Sequence, residues 1–167
     1  MKYFSFINIS SLIILLQNFI QILSQTIKIN TETNQFIDNQ GRELFFHGVN
    51  VVYKIPPWIP DVDKFDPLTS FNEDDMQFLK DMGLNIIRLG VEWAGVEPTR
   101  GQYNETYIQI VKSIVEKSKT YGIYTLLDFH QDILSEKFCG EGIPKWAVKP
   151  SYFTLPFPIP STLLYKA

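Results

Sequence analysis

Residues 71–90 read FNEDDMQFLKDMGLNIIRLG, and this stretch decides the fold. Asn72 is placed to cap a helix, with Glu73, Asp74 and Asp75 in the first turn, where acids complement the helix dipole. Phe71 and Met76 occupy the two positions of a hydrophobic staple. Met76, Leu79 and Met82 follow at spacings of three, and Gly83 supplies the residue on which helices commonly stop. Residues 84–90 are short and mostly apolar, which predicts a strand. The same unit recurs downstream. A helix is predicted over residues 105–121, with apolar face Tyr107, Val111, Ile114, Val115 and Tyr121, then Gly122, then a strand over residues 123–130. Upstream, residues 36–42 predict a hairpin turning on Asn39, Gln40 and Gly41, and residues 44–50 predict a strand ending in the polar Asn50. Near-continuous apolar strands separated by amphipathic helices imply an α/β fold of parallel strands with helices packed outside.

Composition agrees with a folded domain. The chain has 167 residues, 45% hydrophobic and 20% charged, with 10 Pro and 9 Gly, which excludes disorder and collagen-like repeats. Net charge is −3 and no polybasic run occurs, which argues against nucleic acid or anionic lipid as the main partner. A complete eight-fold β/α barrel typically takes roughly 250 residues, more than this sequence holds. Beyond Asp132 the alternation stops. Residues 140–160 carry Pro144, Pro150, Pro156, Pro158 and Pro160, which predicts an extended loop.

The N-terminus has the pattern of a secretory leader over residues 1–24. Met1-Lys2 is a short positive start, Leu12-Ile13-Ile14-Leu15-Leu16 and Phe19-Ile20 form the apolar region, and Ser24 offers a small residue for cleavage. Gln17, Asn18 and Gln21 interrupt the run before it reaches the length needed to span a bilayer, so a cleaved signal is preferred to an anchor. The expected destination is the exterior or the lysosomal or endomembrane lumen, with no stable membrane span. Asn104-Glu105-Thr106 is a glycosylation sequon beside a predicted helix start, whereas Asn8-Ile9-Ser10 falls inside the leader. The lone Cys139 has lost a partner, stands as a free thiol, or is a buried cysteine acting as a small apolar residue.

Polar residues collect past the ends of the three predicted parallel strands: Asn50 and Lys54, then Arg88, Glu92 and Trp93, then His130, Gln131 and Asp132. In a parallel β/α fold these ends converge on one face, where active sites lie. Carboxylates and amides there suit sugar hydroxyls, and flat indoles suit the apolar face of a pyranose. Each has a plainer alternative: Arg88 as a structural ion-pair partner, His130 as a core histidine, Trp93 and Trp146 as packing. Glu92 and Glu97 are open to being solvated loop acids, the preferred reading for Glu97. His47, beside Gly48 in the first strand, is taken as structural. Two His and one Cys at unrelated positions make no zinc motif, and neither a metal nor a cofactor is implied.

Taken in order, these segments resemble glycoside hydrolase family 5, in its endoglycoceramidase branch. Gly41-Arg42 followed by His47-Gly48-Val49-Asn50 resembles the family's first strand, and Asn85-Ile86-Ile87-Arg88-Leu89 its second. Val49-Asn50-Val51-Val52-Tyr53-Lys54 with Pro56-Pro57, and Asp128-Phe129-His130-Gln131-Asp132 with Phe138-Cys139-Gly140-Glu141-Gly142, Pro144 and Trp146, resemble the branch. The resemblance implies the N-terminal portion of a TIM (β/α)8 barrel, about three β/α units plus a hairpin, within residues 25–167. It implies a retaining glycosidase that cuts between oligosaccharide and ceramide. Lys54 and Asp132 would bind sugar hydroxyls deep in the cleft, His130 would contact the sugar at the cleavage point, and Arg88 would orient the nucleophile. Trp146 is carried over as a substrate-binding position through the motif alone.

The pattern departs from the family in its catalytic pair. Retaining hydrolysis takes two carboxyl groups about 5–5.5 Å apart, in this family glutamates on later strands, the first within Asn-Glu-Pro. This sequence contains no Asn-Glu-Pro. Asn72-Glu73-Asp74 and Asn104-Glu105-Thr106 are helix starts and cannot substitute, and Glu92 with Asp132 is the weak remaining pair. The expectation is a secreted glycosidase cut short before both glutamates and inactive alone, with open strand edges prone to aggregation. The alternatives are a non-catalytic secreted glycolipid- or carbohydrate-binding module, or part of a family 5 β-glucan hydrolase. Lys54 and His130-Gln131-Asp132 favour the glycolipid enzyme.

Overall fold

The structure, a computed structural model, describes residues 27–149. The expected leader, the Asn8 sequon and the prolines from Pro150 onward lie outside the described residues. The chain divides into two units, one ending at Phe45 and the other beginning at Phe46.

In the first unit, β1 (Lys28–Asn30) and β2 (Gln35–Ile37) form an antiparallel hairpin. Asn30 organises its turn: its Oδ1 accepts the Glu32 and Thr33 N–H groups at 2.9 and 3.3 Å, and Asn34 takes a left-handed φ of 56°. This regular hairpin precedes the expected one. At residues 38–42 there is a tight turn, with Asp38 Oδ1 accepting the N–H groups of Gln40 and Arg42. It closes only an isolated bridge between Ile37 and Glu43.

The second unit holds a parallel sheet in the order β3 (Gly48–Val51), β4 (Ile86–Val91), β5 (Tyr124–Phe129). Gly48 pairs with Ile86 and Ile86 with Tyr124, setting the register. The first of these strands begins at Gly48, later than expected, so His47 lies outside it. The reason is local: Asn85 Oδ1 accepts the His47 N–H at 2.9 Å and the His47 carbonyl accepts the Asn85 N–H at 2.9 Å. That side chain takes a backbone donor a ladder would need.

The helices follow their caps. In α1 (Glu73–Asp81), Asn72 Oδ1 accepts the Asp74 and Asp75 N–H groups, and Asp75 Oδ2 accepts the Asn72 N–H, a reciprocal capping box. The staple residues Phe71 and Met76 are buried, but Met82 ends the helix at 59% exposed and leaves the apolar face to Met76 and Leu79. A short α2 (Trp93–Val96), which the pattern does not announce, follows β4 directly. Helix α3 (Glu105–Thr120) buries Tyr107 and Ile114 and packs Val111 and Val115 against the same core. Met76, Ile87, Leu89 and Ile114 are each at most 1% exposed, and burying such side chains contributes on the order of 1.5–3 kcal/mol apiece.

Only the middle strand meets the expectation of burial along its length. On β5, Leu126, Leu127 and Phe129 are 54%, 56% and 66% exposed, because a sheet edge has a packing partner on one side only. Among the described residues no helix is long and apolar enough to cross a membrane.

Candidate active site

The period-two alternation of the strands sends Asn50 on β3, Arg88 on β4 and Asp128 on β5 toward one cleft. The residues just past the strand ends complete it. Its volume is about 600 Å³, and its walls include Asn50, Lys54, Arg88, Asp128, His130 and Asp132.

The polar groups form two adjoining clusters, Arg88–Asp128–His130 and Asp132–Lys54–Glu141. Arg88 Nη2 lies 2.7 Å from Asp128 Oδ2, and His130 Nδ1 lies 2.7 Å from the same oxygen. His130 Nε2 is 3.6 Å from Asp132 Oδ2. That oxygen bonds the Lys54 ammonium, which in turn lies 3.3 Å from Glu141 Oε1. The Lys54 hydrogen bond holds the Asp132 carboxyl below its usual range, and Asp132 holds the Lys54 ammonium above its own. Lys54 and Asp132 are half-exposed, so arriving hydroxyls can compete for them. His130 is buried, and an Nδ1–H directed at Asp128 leaves Nε2 without a hydrogen-bond partner. Four of the expected site residues, Lys54, Arg88, His130 and Asp132, are thus brought together.

Glu141 reaches Lys54 because the loop after β5 folds back on itself. Asp132 and Glu141 form an antiparallel bridge, with N–H···O distances of 3.2 and 2.8 Å. The adjacent Gly142 has φ 108°, and a Cβ there would sit 2.5 Å from the His130 carbonyl oxygen. Only glycine closes this loop without strain. Within it, Cys139 is an exposed free thiol at φ 63°, which removes the buried-apolar reading.

Both loop glutamates depart from the solvated reading. Glu97 is 8% exposed. Its Oε2 accepts the Trp93 indole N–H at 2.7 Å, its Oε1 accepts the Gly101 N–H at 2.7 Å, and its carbonyl accepts the Trp146 indole N–H at 3.0 Å. The Gly101 and Trp93 bonds lower its pKa. Trp146 stands edge-on to Trp93 at 5.3 Å, half-buried and outside the walls of this cleft. Glu92 is 1% exposed, and burial first, then the Glu141 charge, pushes its pKa up to about 8. Asn104 caps α3 through Oδ1, which accepts the Tyr107 N–H at 3.1 Å, and it is exposed.

Sequence reasoning gave no role to Asp128 and Glu141. Asp128 is signalled by its alternation with Leu126 on β5 and with His130 just past the strand's end, and Glu141 by the flanking Gly140 and Gly142. His130, Asp132 and Glu141 place ligand-type atoms within 4.8 Å of one another. Lys54 already supplies the positive charge between the two carboxylates, so these side chains are assigned to ion pairing.

Residues 37–154 match the family model described as Cellulase (glycosyl hydrolase family 5). The chain is 55% identical over 137 residues to an endoglycoceramidase of Cyanea nozakii, covering 81% of this chain and 27% of that protein. It is 55% identical over 122 residues to an endoglycoceramidase of Hydra vulgaris, covering 73% of this chain and 23% of that one. The structure of endo-glycoceramidase II from Rhodococcus sp. as a lactosyl-enzyme intermediate is similar at a TM-score of 0.53 and 28% identity, over 68% of this chain and 28% of the other. The chain spans about a quarter of the length of the curated relatives it matches. With its parallel strands, its conjoined strand-end residues and a family match over most of its length, the chain belongs to glycosyl hydrolase family 5.

Proposed function

We propose that this chain forms the first strands of the (β/α)8 catalytic domain of an endoglycoceramidase-like enzyme and supplies part of its glycolipid-binding cleft. In this reading Lys54 and Asp132 bind sugar hydroxyls, His130 contacts the sugar at the bond to be cut, and Arg88, through Asp128, positions the nucleophile. Trp146, half-buried with its indole edge-on to Trp93, is a further substrate-binding position in this reading. The leader over residues 1–24 directs residues 25–167 to the secretory route, where Asn104 carries a glycan. The chemistry is retaining hydrolysis between oligosaccharide and ceramide.

The observation that carries this reading is the pair of adjoining clusters, Arg88–Asp128–His130 and Asp132–Lys54–Glu141, at the mouth of the strands. It presents acceptors, donors and a cation to a polyhydroxyl ligand, as sugar recognition needs. It does not present an acid and a nucleophile. Asp128 is held by Arg88 and His130, Asp132 and Glu141 by Lys54, and Glu92 is buried. These residues bind, and hydrolysis depends on two carboxyls they do not contribute.

Purified 167-residue chain is therefore expected to bind fluorescent lactosylceramide saturably and to leave it uncleaved. Lys54→Met should weaken that binding by at least about tenfold, ~1.4 kcal/mol. Cleavage by this chain would overturn the binding-only assignment. Preference for cellotetraose over lactosylceramide would move the reading to a β-glucan hydrolase.

A further inference from the structure

Asp132 and Glu141 hold the same ammonium but differ in what else can reach them. The Lys54 Nζ bonds Asp132 Oδ2 and stands 3.3 Å from Glu141 Oε1. The Asp132 side chain is 51% exposed, whereas that of Glu141 is 12% exposed, and Glu141 Oε1 is buried with no hydrogen bond of its own. A ligand entering the cleft therefore meets Asp132, and Glu141 is shielded from it.

The two ends of the Glu141–Lys54 contact also differ in rigidity. Glu141 is bridged to Asp132 through its own backbone, and both its neighbours are tied down. The Gly142 carbonyl accepts the Ala94 N–H at 2.8 Å, and the Ser135 carbonyl accepts the Gly140 N–H at 3.1 Å. A Cβ on Gly140 would collide with the Asp132 carbonyl oxygen, so the loop closes as tightly as glycine permits. Lys54 instead reaches in from the segment after β3 on a flexible four-carbon stem, half-exposed. The fixed carboxylate directs the mobile ammonium.

Ligand binding sets up a competition for Asp132. A sugar hydroxyl that donates to Asp132 Oδ2 takes the oxygen that Lys54 holds. Were Asp132 its only anion, the freed ammonium would turn to water, and the ligand would lose a donor as it gained an acceptor. Two carboxylates around one ammonium remove that conflict, because one can be given up while the other keeps its pairing. An ammonium carries three N–H donors, so one directed at Glu141 leaves the others for ligand oxygens.

We propose, building on the glycolipid-binding reading, that Glu141 is a positioning residue for Lys54: it keeps the ammonium in the cleft when a sugar hydroxyl takes Asp132, so that Lys54 and Asp132 serve the ligand together. Glu141 itself touches no ligand. Glu141→Gln keeps the backbone bridge and nearly the same shape, and removes the charge.

The test is a double-mutant cycle on the purified chain, read as affinity for fluorescent lactosylceramide. Glu141→Gln is expected to lower that affinity about fivefold in the native background and to cost nothing further in Lys54→Met, since it acts through the ammonium. Losses that add in the double variant would mean that Glu141 only supports the loop, and they overturn the proposal. Unchanged affinity in Glu141→Gln overturns it as well. In the ligand-free chain the ¹⁵Nζ signal of Lys54 is expected to shift on Glu141→Gln, and a signal that stays in place is a third contrary result. If that signal shifts but the native chain binds no lactosylceramide, the Glu141–Lys54 coupling stands and the glycolipid reading falls. Should Glu141→Gln not fold, Glu141→Asp, which draws the charge back by one methylene, takes its place in the cycle under the same expectations.

Discussion

His130 Nδ1 lies 2.7 Å from Asp128 Oδ2, the oxygen that also meets Arg88. One carboxylate therefore neutralises the guanidinium and selects the imidazole tautomer, leaving Nε2 toward Asp132. The arrangement follows from strand geometry: Asp128 and His130 are two residues apart and share a face, and Arg88 projects from the neighbouring strand.

Replacing Asp128 with Asn should separate these duties. The amide keeps the shape but offers Arg88 no charge and can donate to Nδ1, which would move the neutral imidazole proton to Nε2. The imidazole ¹⁵N shifts of His130 are expected to report an Nδ1–H form in the native chain and a switch in Asp128→Asn. Lactosylceramide affinity should fall by about tenfold or more, as expected when a charged hydrogen bond is lost. An Nε2–H form in the native chain would contradict the assignment.

Gly95 offers a test of packing independent of the cleft. A Cβ there would sit 2.4 Å from the Tyr107 ring, and that ring cannot yield, because its Oη donates to the Trp58 carbonyl at 3.0 Å and accepts the Glu92 N–H. Gly95→Ala is expected to cost about 1–3 kcal/mol, the usual range for overpacking, read as a lowered urea midpoint at unchanged slope. A stability equal to the native chain would show that Tyr107 is free to move.

What the sequence made legible was what neighbouring residues decide among themselves. The Asn72 cap, the Phe71–Met76 staple and the glycine stops at Gly83 and Gly122 are local, and the structure has the helices they announce. The start of β3 was not, because it depends on Asn85 reaching across to His47. Glu97 was misread as solvated for a similar reason, and the burial of Glu92 stayed open. Glu97 is buried by contacts with Trp93, Gly101 and Trp146, and Glu92 by Tyr107 and the loop that Gly142 brings back. For the cleft, residue types at strand ends named Lys54, Arg88, His130 and Asp132. They could not show that Asp128 joins Arg88 to His130 or that Glu141 meets Lys54 beside Asp132.

Asn104 is both a sequon residue and a helix cap, and two substitutions separate the roles. Asn104→Asp keeps an oxygen for the Tyr107 N–H and cannot be glycosylated. Secreted from a eukaryotic host, it is expected to lose the glycan, seen as a mobility shift, while keeping native thermal stability. Asn104→Ala should lose the glycan and also about 1 kcal/mol of stability, the ordinary value of an N-cap. If Asn104→Asp is destabilised as much as Asn104→Ala, the cap is not the Oδ1 contact described here.

Glu92 should also leave its mark on stability against pH. In the unfolded chain its carboxyl returns to the ordinary value of 4.5, against about 8 in the fold. Between those values the native state holds a proton that the unfolded state has released, so stability falls as pH rises through that window. The slope from this one group is at most about 1.4 kcal/mol per pH unit, and it flattens above the folded value, where both states are ionised. Asp132 runs the other way: its carboxyl is lowered by Lys54, so its contribution is present near neutrality and is lost on acidification below its unfolded value. Stability is therefore expected to be greatest in the mildly acidic range and to decline toward about pH 8. Glu92→Gln has no proton to lose and should remove most of that alkaline decline while leaving the acid limb in place. Urea titrations of both chains across the range measure it directly, and an alkaline limb unchanged by the substitution would assign the decline to another group.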